Sequence, residues 1–461
     1  MLKKIVTIAL TLFIVWDLWH SYTQYYYMPL DGDLADNVVP AKAYQRVLQD
    51  PFGWDALTKG ERVAGSNRFF AHASEYVYMR NAPQALRTAT DPINSVYVAG
   101  ALFRLFVHIL LLYLLSIYVT GTSDPRKQNF LLAFALMSPL LQTNYYAIYM
   151  GIIDHSITYT FFYAFPFCLT LLFFLPLYQK SQLTWQKKMG LIILSIVLAF
   201  NGPLIPPVIL VISAIVFPLF LVSVLRKTKI RSSHTSMLLL AIACLLSLYS
   251  LYIGSFNSDS YAHTASLADR YMKLPIGVFN ILTQKLGYPL LLLLIMINVV
   301  IIKISKSEGS VSVMKMLRFI GIFAALYLLL LPLGGYREYR PNILRYDTIM
   351  PITIALIFFY ARSSIFLLGV LKQSGQKTYI GMLLVFSAVF TFADIDTEKE
   401  NLCERGKIAQ IASSPLDTVK LDTTCTILSW GVIRDPVYSD VNAEILRVWN
   451  VTDRKKLYYQ Q

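Results

Sequence analysis

Three carboxylates fall within six residues in "MPLDGDLADN": Asp31, Asp33 and Asp36. They directly follow a stretch long and apolar enough to span a membrane, so all three emerge at a bilayer surface. Carboxylates at such a rim suit general-base work on a hydroxyl group, or ligation of a divalent cation. Far along the chain, "GGYREYRPNILRYDTIMPI" crowds Arg337, Arg340 and Arg345 among Tyr336, Tyr339 and Tyr346. The planar guanidinium fork matches phosphate oxygens, so this stretch reads as an anion cradle at the membrane surface. Between the two, "YMGIIDHSITY" puts Asp154 and His155 in a very short connection that holds both side chains near the surface. Each group also has a plain structural reading. "DGD" is common turn composition and Asp36 suits a helix cap; Asp154 and His155 suit a capped turn; the arginines have Glu338, Asp347 and lipid headgroups to pair with.

Deeper in the apolar runs stand Asp17 and His20, then Arg104 and His108, the latter two on one helical face at i and i+4. Ionisable groups at membrane depth are expensive and find partners. The expected arrangement is a structural ion pair, Asp17 with Arg104, joining the first two spans. His72, His234 and His263 have no metal-ligand spacing and read as ordinary loop residues. No metal site is expected, and a divalent cation bridging the aspartates to a phosphate is the one cofactor the pattern leaves open. Nucleotide-phosphate loops and Rossmann glycine patterns are absent.

The elements that must hold these residues are transmembrane helices. The 461-residue chain is 56% hydrophobic and 15% charged, with a mean hydropathy of +0.53; soluble domains carry about 25% charged residues. The composition predicts an all-α polytopic membrane protein of eleven spans, at roughly 5–26, 96–119, 129–148, 157–178, 190–203, 205–225, 236–256, 288–304, 317–335, 347–362 and 378–394. "MLKKIVTIALTLFIVWDLWHSY" is too long in its apolar part for a signal peptide and reads as a retained first span. "NGPLIPP" breaks an otherwise continuous apolar stretch into a hairpin.

Basic residues gather in every second connection, from Lys3 and Lys4 through Arg126, Lys187 and "RKTKIR" to Lys303 and Lys372. The positive-inside rule then puts the amino terminus in the cytoplasm and the carboxyl terminus outside. The net charge of +14 therefore reflects membrane topology, and no nucleic-acid partner is expected. Residues 1–394 form the membrane domain, with a large external loop, 27–95, whose mixed apolar and charged pattern suits interfacial helices around Phe52, Trp54, Phe69 and Phe70. Its charges nearly balance, at seven basic and eight acidic residues. Residues 395–461 form a small exported α/β segment. It holds Cys403 and Cys425, a pair that suits a disulfide in an oxidising compartment or stands as two free thiols.

This arrangement resembles the GT-C superfamily of polytopic glycosyltransferases, which use polyprenyl-phosphate-linked sugars on the exported face. In that family a carboxylate opens the first external loop, as Asp31 and Asp33 do here, ahead of interfacial helices. Many members carry an Arg-Tyr pair before a proline entering a late span, similar to Arg345, Tyr346 and Pro351, and most end in an exported soluble domain. Asp-Gly-Asp replaces the usual adjacent acidic pair, which leaves the base as either Asp31 or Asp33, and the tail is short for the family. The serotype-converting transferases that glucosylate O-antigen in the periplasm fit equally well.

The resemblance implies a bacterial inner-membrane enzyme with no certain cofactor. Its donor is a polyprenyl-phosphate sugar, its acceptor a cell-envelope glycan, lipid or protein, and its setting the membrane lipids. Asp31 or Asp33 removes the acceptor proton, while Arg337, Arg340 and Arg345 cradle the lipid phosphate. Asp36, Asp154, His155 and Tyr346 orient the substrates. The rival readings are a polysaccharide polymerase or ligase acting on lipid-linked glycans, and a non-enzymatic lipid-linked glycan transporter or flippase.

Overall fold

The computed structural model describes residues 2–40, 42–141, 150–179, 182–226, 234–258, 265–334, 343–393 and 399–461. Among these residues nine helices are long and apolar enough to cross a bilayer. They are Leu2–Tyr27, Pro92–Thr120, Ile157–Tyr178, Ile205–Leu225, His234–Gly254, Gly287–Ser305, Ser310–Leu333, Met350–Val370 and Gln373–Ala393. The chain is a polytopic α-helical protein. Two of the eleven expected spans show no helix of spanning length among the described residues, and residues 142–148 of the third expected span lie outside them. Gln128–Met137 tightens into a single 3-10 turn, Ser138–Leu140, and Trp185–Ala199 has 15 residues. Fifteen helical residues rise only about 22 Å, less than the ~30 Å hydrocarbon core. At "NGPLIPP" the chain stops being helical after Ala199; Gly202 takes a φ of +109°, and the next helix starts at Ile205 with prolines in its first turn, where the missing N–H is harmless.

The expected external connections interlock at one end of the bundle. The break after Ala199 meets the first loop, where Phe70 N donates to Phe200 O and Gly202 N to Asn67 O. The end of His234–Gly254 meets the same loop. Ser66 Oγ donates to Ile253 O, Asn67 Nδ2 to Ser250 O, and Gly65 N to Asn257 Oδ1. The amphipathic helix Leu267–Thr283 joins this end through Arg270, whose guanidinium donates to Gly334 O at 3.0 Å. At the other end, Tyr178 Oη donates to Tyr118 O and Arg362 Nη1 to Val119 O. The helix ends at Tyr118–Val119, Tyr178 and Arg362 therefore lie together there.

Spans are joined by polar contacts as well as packing. Asn298 Nδ2 donates to Ser363 and Ser364, and Tyr379 Oη donates to Asn298 Oδ1, tying together three of the later helices. Large apolar side chains such as Leu12, Trp19, Leu219, Leu225, Leu384 and Val385 stay exposed around the bundle, as lipid-facing positions must.

The carboxyl-terminal segment folds into helix Leu402–Ser413, strand Thr418–Leu421, helix Asp440–Val448 and strand Leu457–Gln460, the two strands pairing in parallel. Cys403 and Cys425 form a disulfide across Cα atoms 6.3 Å apart. The segment is docked rather than appended. Its Ile408, Leu421 and Trp449 belong to the same buried core as the membrane helices, and Trp449 Nε1 donates to Met79 O. Arg405 stacks over Tyr26 and Tyr97 and donates to Asn94 Oδ1.

Candidate active site

The chain leaves the first span at Tyr27 and turns at once into the interlocked end. Asp31 points inward and is 5% exposed. It accepts from Asp33 N at 3.1 Å, a local turn that aspartate forms readily, and from Thr158 N and Thr158 Oγ1 at 3.1 and 2.9 Å. Asp33 is only partly buried and accepts from the indole N–H of Trp430 at 2.9 Å. The glycine between them is required by that approach: a Cβ on Gly32 would stand 2.5 Å from Trp430 Cδ1 and 2.6 Å from Trp430 N. Asp36 lies in the short helix Leu34–Val38, half-buried; burial first, and the Asp33 charge second, raise its pKa.

The partner of Asp31 comes from residues 154–164. Asp154 Oδ1 accepts from Ser156 N at 2.8 Å, and Ser156 Oγ in turn caps Tyr159 N, starting the helix at Ile157. A π-helical stretch, Thr160–Ala164, follows, a departure from α geometry frequent near functional sites. Thr158 Oγ1 lies 2.9 Å from Asp31 Oδ1 and also 2.6 Å from Glu75 Oε1. One hydroxyl hydrogen cannot serve two carboxylates. Glu75 is fully buried, and burial, then the Asp31 charge, push its pKa well above the carboxylate range. Burial thus favours the second proton on Glu75, an arrangement in which Glu75 donates to Thr158 while Thr158 donates to Asp31. Asn37 Nδ2 donates to the other Glu75 oxygen at 2.9 Å.

The late loop closes the other side. Arg345 grips Asp347 through Nε, at 3.0 Å to Oδ1, and through Nη2, and its guanidinium lies over the rings of Tyr159 at 4.9 Å and Tyr346 at 5.7 Å. Burial works against its charge, but the Asp347 carboxylate outweighs it and the pKa rises. Tyr346 hydrogen-bonds Asp154, whose own pKa burial lifts to about 6 against the pull of Ser156 N. His155 is part-exposed, its Nδ1 3.9 Å from Glu400 Oε2. A continuous row results: Asp33, the Trp430 indole, the Tyr159 ring 6.1 Å away, then Arg345.

Thus Asp31, Asp33, Asp154, Arg345 and Tyr346 converge on one rim, while Asp36 faces a neighbouring cleft. Arg337, Arg340 and Glu338 lie outside the described residues. The expected Asp17–Arg104 pair does not appear. Asp17 accepts from Ser138 Oγ, whereas Arg104 donates from Nε to Asp154 O at 3.2 Å and from Nη2 to His155 O. Helix register explains it. Tyr25 Oη meets His108 Nδ1, which puts Asp17 about 12 Å inward and Arg104 about 6 Å outward of that level. Arg104 is instead a buried post beneath the 154–155 turn.

Four groups have no warning in the sequence: Glu75, Thr158, Trp430 and Glu404. Glu404 accepts from Leu30 N, Tyr97 Oη and Leu428 N within 2.8–2.9 Å, and burial lifts its pKa to about 7 against those donors. No group of three His, Cys, Asp or Glu side chains among the described residues is placed to hold a metal ion. Comparison of the chain with protein-family models, curated proteins and solved structures returns no match. Chemically, the rim offers a partly exposed carboxylate, a fixed buried one beside it, and a guanidinium on an aromatic shelf.

Proposed function

We propose that the protein transfers a sugar from a polyprenyl-phosphate carrier to a cell-envelope acceptor, at the face of a bacterial inner membrane where the first loop and the carboxyl-terminal segment meet. One observation carries this reading: acidic groups from residues 31–33 and the guanidinium of Arg345 meet across Thr158, Tyr159 and Trp430 at a single rim. Asp33, the more exposed of the two carboxylates, takes the proton of the acceptor hydroxyl; Asp31, held by three donors, fixes the loop that presents it. The acceptor oxygen bonds the anomeric carbon as the carbon–oxygen bond to phosphate breaks, and the polyprenyl phosphate leaves with the electron pair. Arg345 is already paired with Asp347, so the charge that receives the phosphate falls to Arg337 and Arg340 in this reading.

Mass spectrometry of envelope glycans from cells with and without the protein tests this. Loss of one sugar from one glycan, restored by the wild type and not by Asp33→Asn, is the expected result. An unaltered glycan profile together with accumulation of a lipid-linked intermediate on the cytoplasmic side would favour a flippase and overturn the transfer reading. Loss of whole polymer chains would favour a polymerase or ligase.

A further inference from the structure

Beside the rim lies a cleft of about 500 Å³ between the first loop and the carboxyl-terminal segment. That size falls in the ~300–1,000 Å³ range of small-molecule sites. Asp36 lines it on one side, and Trp430, Arg434, Asp435, Tyr438 and Asn442 on the other. Trp430 is 59% exposed and Tyr438 79% exposed, so two aromatic faces stand open to solvent at one opening. The Trp430 ring is held in orientation by its bond to Asp33, and its backbone is seated against Gly32. Asn442 commits both amino hydrogens, to Leu428 O and Tyr458 Oη, which fixes its place in that wall.

This composition selects a ligand class. Aromatic faces receive the C–H face of a pyranose ring, with the polar edge left for hydrogen bonds. Carboxylate, guanidinium and amide groups are planar and address neighbouring hydroxyls in pairs. Two acids and one base of opposing sign give no strong field for an anion or a cation. We propose that this cleft binds a neutral, hydroxyl-rich saccharide chain against Trp430 and Tyr438. That the saccharide is the acceptor rests on the sugar-transfer reading above; that it binds does not. The geometry of an acceptor role is direct, since Asp33 is bonded to the ring that walls the cleft.

The test is saturation-transfer NMR on the full-length protein in nanodiscs, with cellotriose, isomaltotriose and chitotriose as probes. The cleft predicts transfer to at least one probe, weakened by roughly fivefold or more in Tyr438→Ala and Trp430→Ala and retained in Tyr438→Phe. Tyr438 is so exposed that its truncation leaves folding intact, which thermal melting of the same sample verifies. No transfer to any probe, or equal transfer in the alanine variants, overturns the proposal, as does a Tyr438-dependence seen only for binding to lipid vesicles. Tyr438-dependent probe binding without any donor turnover sinks the transfer reading and spares the cleft; donor turnover lost in Asp33→Asn with probe binding indifferent to Tyr438 does the reverse.

Discussion

Thr158 is where the residue-scale logic is tightest. Its hydroxyl stands between Asp31 and a fully buried Glu75, and the shared contact requires one carboxyl to keep its proton, which burial favours at Glu75. Glutamine reproduces a neutral glutamic acid here, donating to Thr158 and accepting from Asn37. Glu75→Gln should therefore change thermal stability by less than about 1 kcal/mol, whereas Glu75→Ala, which strands Asn37 and Thr158, should cost about 1–3 kcal/mol. Equal destabilisation by both, measured by thermal melting in detergent, would mean that Glu75 is ionised. The pairings at this scale were the least legible in the sequence. Thr158 meets Glu75 across 83 residues and Asp31 across 127, Trp430 meets Asp33 across 397, and no local pattern encodes such separations. Asp31, Asp33, Asp154 and Arg345 were readable because charge near a bilayer is costly and so stands out.

Among the elements, the spans declared themselves by apolar length, because outside a closed barrel a bilayer leaves the backbone no alternative to a long helix. The break at "NGPLIPP" was legible from its glycine and prolines, but not that the helix before it, Trp185–Ala199, has only 15 residues. The docking of the tail was not legible either: its alternating pattern shows that a face is buried, not against what. Gly32 makes one close contact of that docking. Gly32→Ala would drive a methyl group into the Trp430 backbone. We expect a loss of about 1–3 kcal/mol, read as earlier melting, with faster protease cleavage in residues 399–461. Unchanged protease resistance would show that the segment is held elsewhere, through Glu404 and Arg405.

For the molecule as a whole, buried acids link stability to pH. Asp154 and Glu404 have ordinary values of 3.8 and 4.5 and folded values of about 6 and about 7. Between the ordinary and raised values the folded chain holds protons that the unfolded chain has released. Their stabilising effect is full below the ordinary values and is lost as pH rises through 6 to 7. Glu75 acts in the same direction. Buried His72, whose imidazole desolvation holds well below its ordinary value of 6.5, acts in the opposite direction below that pH. Melting temperature should therefore fall from pH 6.5 to pH 8, with a shallower fall in Glu404→Gln; a curve that rises over this window would contradict the burial of Glu404 as a charged-form penalty.

Whether the rim transfers sugar is decided most directly by release of polyprenyl phosphate from polyprenyl-phosphate-linked hexoses, by the purified protein in nanodiscs supplied with envelope acceptor. The account predicts release by the wild type, a drop of at least about a hundredfold in Asp33→Asn, and donor binding kept in that variant. Release that proceeds at the wild-type rate in Asp33→Asn would contradict it.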